Sequence, residues 1–155
     1  MKKGCLIGVI VFFALILIAA TIGFFTMRPR IQKRITEGII MEVELALEDY
    51  AVEFSSPPDG DHESVIRTLR GDNLEERNYF GRDISKIVKG GKVVDAWNQP
   101  LQIMAGPGGA LRVRSAGPNG NYNDIDDVDS ADLRKLVEEI RKKGEAAHRE
   151  ATVNQ

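Results

Sequence analysis

Residues 31–54 read IQKRITEGIIMEVELALEDYAVEF, and this stretch governs how the rest of the chain must pack. Apolar side chains recur along it every three or four positions, which is typical of one face of an α-helix. They are Ile31, Ile35, Ile39, Val43, Ala46, Leu47, Tyr50 and Phe54. The following SSPPDG, at 55–60, ends the helix with two prolines and a glycine. The pattern predicts an amphipathic helix whose apolar stripe packs on the domain that follows.

The segment before this helix, residues 5–27, contains no charged side chain and is mostly apolar. At about 1.5 Å per residue, such a run spans the roughly 30 Å hydrocarbon layer of a bilayer. A cleaved secretory signal is the alternative, but its apolar region is usually about 7–15 residues long. The sequence therefore predicts a transmembrane helix over 5–27, continued by the amphipathic helix over 28–56, with Pro29 near the junction. Basic residues on both sides leave the orientation open.

Composition limits what the remainder of the chain can be. The protein has 155 residues, a formal net charge of −2 and one cysteine, and its pI is about 5.7. The residues after the predicted span suffice for one small domain. A basic surface of the kind that nucleic acid requires is not expected, so nucleic acid is excluded as a partner. A single cysteine also excludes an internal disulfide.

The domain is predicted to be α+β, with a globular part over 57–143. A short helix is expected over HESVIRTL at 62–69, capped by Asp61 and stopped by Gly71. Residues 74–91 are expected to be irregular apart from one helical turn. Alternating patterns predict two strands, in PLQIMA at 100–105 and ALRVRSA at 110–116, joined by a GPGG hairpin turn at 106–109. With Trp97, this hairpin is expected to supply the core.

A final helix is expected to start at Ser130, with Ser130 or Asp129 as its cap. Its apolar face would consist of Leu133, Leu136, Val137 and Ile140. The tail over 144–155 is polar and is expected to fray.

Catalytic chemistry is not predicted. His62 stands beside a proline turn and His148 lies in the polar tail, so both are interpreted as solvated surface residues. No acid–base pair or activated nucleophile can be named from the sequence, and the protein is therefore predicted not to be an enzyme.

The stretch SAGPNGNYNDIDDVDSAD, residues 115–132, is the candidate site. Hard cations such as Ca²⁺ take six to eight oxygen ligands from carboxylates, amides and carbonyls of a flexible loop. The segment offers many such groups: Asn119, Asn121, Asn123, Asp124, Asp126, Asp127 and Asp129. The alternative is a set of Asx-turns and a helix cap with no ion.

Four stretches resemble the type II secretion pseudopilins and the related type IV pilins. KKG before the apolar run is similar to a prepilin leader, residues 1–4, with cleavage after Gly4 and Cys5 as the first mature residue. EVELALEDYAVEFSSPPDG at 42–60 resembles the end of the family's long helix. GKVVDAWNQPLQI at 91–103 is similar to the family's DPWG motif and the strand after it. RSAGPNGNYNDIDDV at 114–128 resembles its calcium loop, with Asn119, Asp124, Asp126 and Asp127 as candidate ligands.

The resemblance implies a pilin-like subunit: a long amino-terminal helix packed on a small antiparallel sheet, with a Ca²⁺-stabilised loop. It implies one pass through the inner membrane, with the amino terminus cytoplasmic and the domain periplasmic. The expected partners are other pseudopilin or pilin subunits, the lipid bilayer and inner-membrane components of a secretion apparatus. The chain departs from the family at Val9, where a glutamate is usual. The alternative is a membrane-tethered periplasmic binding domain that does not polymerise.

Overall fold

The computed structural model of the protein describes the backbone of residues 3–106 and 111–153. Side chains are described for all of these except 3–11, 19, 20, 22–26 and 146–153. The elements in chain order are α1 (Lys3–Phe54), α2 (His62–Leu69), a 3₁₀ turn (Ser85–Ile87), β1 (Val88–Lys89), β2 (Lys92–Val93), β3 (Gln102–Ala105), β4 (Leu111–Ser115), β5 (Val128–Asp129) and α3 (Ser130–Val153). The predicted α+β class is confirmed, with a long amino-terminal helix, antiparallel strands and a carboxy-terminal helix.

The first helix, α1, is 52 residues long and includes Pro29 within it. Its last residue is Phe54, as the prolines at 57 and 58 predict, because proline cannot continue the backbone hydrogen bonds of a helix. Ser55 follows with a positive φ of 55°, which turns the chain out of the helical path. One continuous helix ending at Phe54 is therefore confirmed.

The predicted membrane span over 5–27 is contradicted. Crossing a bilayer takes about 20 consecutive, mostly apolar residues in one helix. No helix in the described part of the chain combines the length and the apolar character that this requires. The expected single-pass location in the inner membrane, with a cytoplasmic amino terminus and a periplasmic domain, is corrected accordingly.

The core forms where the second half of α1 meets the domain. Residues 39–47 of α1 contribute Ile39, Ile40, Val43, Ala46 and Leu47, all buried. They pack against buried side chains from α2, the segment after it and the strands: Val65, Ile66, Leu69, Tyr79, Phe80, Ile84, Val93, Leu101, Val113 and Val128. This confirms that the stripe packs on the domain, except at its start. Ile31 and Ile35 are exposed because the domain contacts this part of α1 through Gln32 and Thr36, on another side of the helix.

The predicted hairpin lies at the centre of a three-stranded antiparallel sheet of order β3-β4-β5. Ile103 pairs with Val113, and Ser115 pairs with Val128 on the other side. Most of its predicted GPGG turn lies outside the described residues, at 107–109. The sequence did not predict β5, nor the separate two-stranded sheet of β1 and β2. Both missed pairings involve strands of two residues, which are too short to show an alternating pattern.

Three further predictions are wrong in detail. The helix α3 continues to Val153, so residues 144–153 are helical where a frayed tail was expected. Of its predicted apolar face, Leu133 packs on the core, while Leu136, Val137 and Ile140 are exposed. Trp97 is half-buried and lies outside the cluster of buried core residues, because the turn that carries it is at the edge of the domain.

Candidate functional site

The Asx-rich loop, residues 116–127, leaves β4 and returns to β5 in the same sheet. Its two ends meet at the Ser115–Val128 pair, so the loop is closed at its base by neighbouring strands. Loops of this type are compact and are held by their own side chains. The sheet therefore fixes where the loop starts and ends, and its internal hydrogen bonds decide its shape.

Glycine and asparagine residues make the turns of this loop. Gly117 has a φ of +65°, and a Cβ added there would lie 2.5 Å from the backbone oxygen of Asp126. Asn123 also has a positive φ, of 74°, which asparagine tolerates better than most residues. The close contact at Gly117 brings the first turn of the loop against its acidic end.

Three of the four predicted ligands converge within the loop. The amide nitrogen of Asn119 donates hydrogen bonds to Asp124 Oδ2 at 2.7 Å and to Asp126 Oδ1 at 2.8 Å. The amide oxygen of Asn119 accepts from the backbone N–H of Asn121 at 2.6 Å. Asp124 Oδ1 accepts from the backbone N–H of Asp126 at 3.2 Å. The side-chain amide of Asn119 thus bridges two carboxylates that would otherwise repel each other.

The two carboxylates influence each other's protonation. Their mutual hydrogen bond raises the pKa of Asp126, and its burial and the charge of Asp124 act in the same direction. The same hydrogen bond, together with that from Asn119, lowers the pKa of Asp124. The pKa values of the two carboxyl groups are therefore shifted in opposite directions, as expected for adjacent carboxylates.

Asp127 does not join this cluster. Its Oδ2 accepts from the backbone N–H of Asn123 at 2.8 Å and lies 3.5 Å from Nη1 of Arg114. The same guanidinium donates to Asn123 Oδ1 at 3.0 Å and lies 5.1 Å from the centre of the Tyr122 ring. Asp127 is thus tied to β4 by an ion pair through Oδ2, while its Oδ1 is buried without a hydrogen-bond partner among the described residues.

A buried polar connection holds the loop on the domain. Asp95 accepts from Ser115 Oγ at 2.5 Å, and Ser115 Oγ in turn accepts from the N–H of Gly117 at 3.0 Å. Asp95 Oδ1 also accepts from the backbone N–H groups of Trp97 at 2.9 Å and Gln99 at 2.8 Å. Asp95 and Ser115 are buried, so these bonds order both the turn at 95–99 and the first residues of the loop.

This connection reaches α1 through one further residue. The backbone N–H of Ala96 donates to Thr36 Oγ1 at 3.2 Å, and its carbonyl accepts from Gln32 Nε2 at 3.2 Å. Asp95 belongs to a stretch that the resemblance singled out, but Ser115 was not among the predicted site residues. A signal was present: Ser115 follows Leu111 and Val113 on the inward face of β4, where a hydroxyl needs a partner.

The remaining sequence-predicted residues lie elsewhere. Gly4 and Cys5 fall in the first turns of α1, where side chains are outside the described part of the structure, and so does the side chain of His148. His62 is half-buried, so the prediction of a solvated histidine is wrong; burial lowers its pKa, and the charge of Lys92 adds to this.

Among the described residues, no group of three or more His, Cys, Asp or Glu side chains could hold a metal ion.

Comparison of the chain with models of known protein families, with curated proteins and with solved structures found no match. The likeness to pseudopilins and pilins therefore rests on the four sequence stretches alone. The geometry of the loop and of α1 is the independent basis for assigning a function.

Proposed function

We propose that this protein is a structural subunit that assembles with further copies of itself through the exposed face of α1. In this it would act as the type II secretion pseudopilins and type IV pilins do, which its sequence resembles. The role requires no catalytic residue. One observation carries the proposal: α1 has a second apolar stripe, on the side that faces away from the core.

The second stripe consists of exposed side chains on the domain-bearing half of α1: Ile31, Ile35, Met41, Leu45 and Val52. Leu45 is 62% exposed and Val52 is 84% exposed. At about 100° per residue, these positions lie within about 120° on one side of the helix, which also carries Arg34, Glu42 and Asp49, and the buried positions 39–47 lie on the other side. A helix that is apolar on both sides has one side left to bury after its own domain has packed. Extended exposed apolar surfaces of this kind mark interaction sites.

The Asx-rich loop contributes to the proposal as a cation-stabilised element. Asn119, Asp124 and Asp126 fit a Ca²⁺ ion, because two carboxylates and one amide already converge there. The amide nitrogen of Asn119 donates to both carboxylates and so lies where a cation between them would lie. Turning the Asn119 amide would present its oxygen to the ion instead. Arg114 and the N–H of Asn123 hold Oδ2 of Asp127, whereas its Oδ1 is buried without a hydrogen-bond partner among the described residues, so Asp127 stays a candidate ligand through Oδ1. When bound, the ion would supply the positive charge that this acidic pair lacks.

Self-association is tested by sedimentation velocity of the full chain over a range of concentrations. We expect a concentration-dependent rise in sedimentation coefficient, which Ile35→Glu or Val52→Glu reduces, because a charge in the stripe would be buried between copies. The matched control is Leu74→Glu, which alters a 91% exposed side chain in the segment after α2. A chain that remains monomeric at all concentrations, or variants that behave as the control does, would contradict the proposal.

The cation is tested separately, by the melting temperature in Ca²⁺ and in a chelator at neutral pH. We expect a higher melting temperature in Ca²⁺, as for any ligand that binds only the folded state. The variant Asp126→Asn should lose this response. An unchanged melting temperature in the wild-type chain would remove calcium from the proposal and leave the assembly role untouched.

A further inference from the structure

An open groove lies between α1 and the first turns of α3. Its apolar floor is formed by Met41, Leu45, Leu133 and Val137. We call it the α1–α3 groove. Leu45 and Val137 are 62% and 50% exposed, although both lie beside a packed helix pair. The groove is therefore an apolar surface that the domain itself leaves uncovered.

The edges of the α1–α3 groove carry more negative than positive charge. Glu44, Glu48 and Glu138 line it, and Arg134 is the only basic side chain that does so among the described residues. Arg134 is shared between Glu44 at 2.9 Å and Glu48 at 2.6 Å. Glu138 is also paired with Arg141 at 2.7 Å, so the uncompensated negative charge beside the apolar floor lies at Glu44 and Glu48, which share one guanidinium. Such a border favours an apolar segment with positive charges beside it.

A segment of that chemistry lies further toward the amino terminus of α1. Met27, Ile31 and Ile35 are exposed and follow one another at four-residue spacing, so they share one side of the helix. Arg30, Lys33 and Arg34 are also exposed and form no ion pair with any described residue. We call residues 27–35 the basic segment. It offers an apolar ridge flanked by cations.

We propose that the basic segment of one copy binds in the α1–α3 groove of a second copy. The apolar ridge would cover the floor of the groove, and the cations would face Glu44 and Glu48. The segment cannot reach the groove of its own chain, because both belong to α1 and Ile31 lies about 20 Å from Leu45 along that helix at 1.5 Å per residue.

This inference rests on the proposed assembly and specifies its contact. The two surfaces differ, so the contact is heterologous: each copy is displaced along α1 relative to the next, and repetition yields an open chain of subunits. It also assigns a role to α3, whose exposed apolar residues the fold itself does not use.

Cross-linking between two differently tagged copies tests the contact directly. Both carry Cys5→Ser, so that introduced cysteines are the only thiols. One copy carries Ile31→Cys and the other Val137→Cys, and a short bismaleimide is added. We expect a cross-linked heterodimer from this pair, and none when Leu74→Cys replaces Val137→Cys as the matched control. Equal yields from the two pairs, or no product from either, would overturn the inference.

Charge exchange provides an independent readout. A copy with Lys33→Glu and Arg34→Glu has no net charge on its segment and keeps the acidic groove, whereas a copy with Glu48→Lys and Glu138→Lys has a basic segment and a basic groove. We expect each to associate at least several-fold more weakly than the wild type, and their mixture to associate more strongly than either alone. A mixture that associates no more strongly than either variant alone would contradict binding of the basic segment in the α1–α3 groove.

The outcomes also separate this inference from the proposed function. Self-association that depends on Val52 but not on Val137 or the charge exchange would overturn the groove contact and keep the assembly role. A chain that never self-associates would overturn both.

Discussion

Replacing Asp95 by alanine should destabilise the domain far more than removing a hydrogen-bonding carboxylate from its surface. The Asp95 side chain is 4% exposed and accepts three hydrogen bonds, from the backbone N–H groups of Trp97 and Gln99 and from Ser115 Oγ. An intramolecular hydrogen bond contributes about 0.5–1.5 kcal/mol, and a buried donor left without its partner costs about 1–3 kcal/mol, so losing three bonds predicts roughly 3–5 kcal/mol. For a domain of this size that corresponds to a fall in melting temperature of at least about 10 °C.

The assay is thermal and urea unfolding of the wild type, Asp95→Ala and the matched control Asp83→Ala. Asp83 also accepts two hydrogen bonds, both from Ser85, at 2.8 and 3.0 Å, but on an exposed surface where water replaces them. Its loss should cost about 1 kcal/mol or less. Combining Asp95→Ala with Ser115→Ala should cost less than the sum of the two, because they share one bond. The reasoning fails if Asp95→Ala and Asp83→Ala unfold at the same temperature.

Three further predictions concern the loop and the strands beside it. Burial raises the pKa of Asp129, but the hydrogen bond and charge of Arg112 outweigh it and lower the pKa overall. This ion pair should therefore stabilise the fold at neutral pH and lose its effect below about pH 4. In Asp129→Asn, the free energy of unfolding measured in urea should decrease less steeply as the pH is lowered than in the wild type. The pKa of Asp126 is raised, so ionisation of this carboxyl group destabilises the fold, and stability is lost as the pH rises through that pKa. Asp126→Asn should therefore raise the melting temperature at neutral pH in the presence of a chelator. Gly117→Ala should lower the melting temperature, because the new Cβ would lie 2.5 Å from a backbone oxygen and the residue would also have a strained φ. The control is Gly90→Ala, where φ is +54° but no atom lies near the new Cβ. It should cost only the backbone strain, about 1 kcal/mol.

Most of the fold could be predicted because its main signals are long. The stripe from Ile39 to Phe54 extends over several helical turns, and the packing of that stripe follows from its apolar character alone. The start of the stripe could not be delimited from the sequence, since Ile31 and Ile35 continue the same spacing although both are exposed. Spacing reports which residues share a face of a helix, and it carries no information on what covers that face.

The sequence predicted which residues make up the candidate site, but it did not predict how their side chains are arranged. The sequence indicated that Asn119, Asp124, Asp126 and Asp127 belong to one loop, but a loop of turns can direct each side chain to either side. Arg114 lies on the adjacent strand and forms an ion pair with Asp127. Its alternation with Val113 in β4 predicts the outward face, but the register with β5 places it opposite Asp129, so its contact with Asp127 depends on the shape of the loop and could not be predicted from strand pairing.

The proposed contact has a consequence for the ends of any assembly. Each copy offers one basic segment and one α1–α3 groove, about 20 Å apart along the same helix at 1.5 Å per residue. Because the two surfaces are different, every internal copy uses both, while one end of the chain keeps an unfilled acidic groove and the other an unfilled basic segment. The two ends therefore differ in charge as well as in shape. A terminal partner with a basic apolar helix would bind one end only, and a partner with an acidic apolar groove would bind the other, so both growth and capping of such a chain would have a direction.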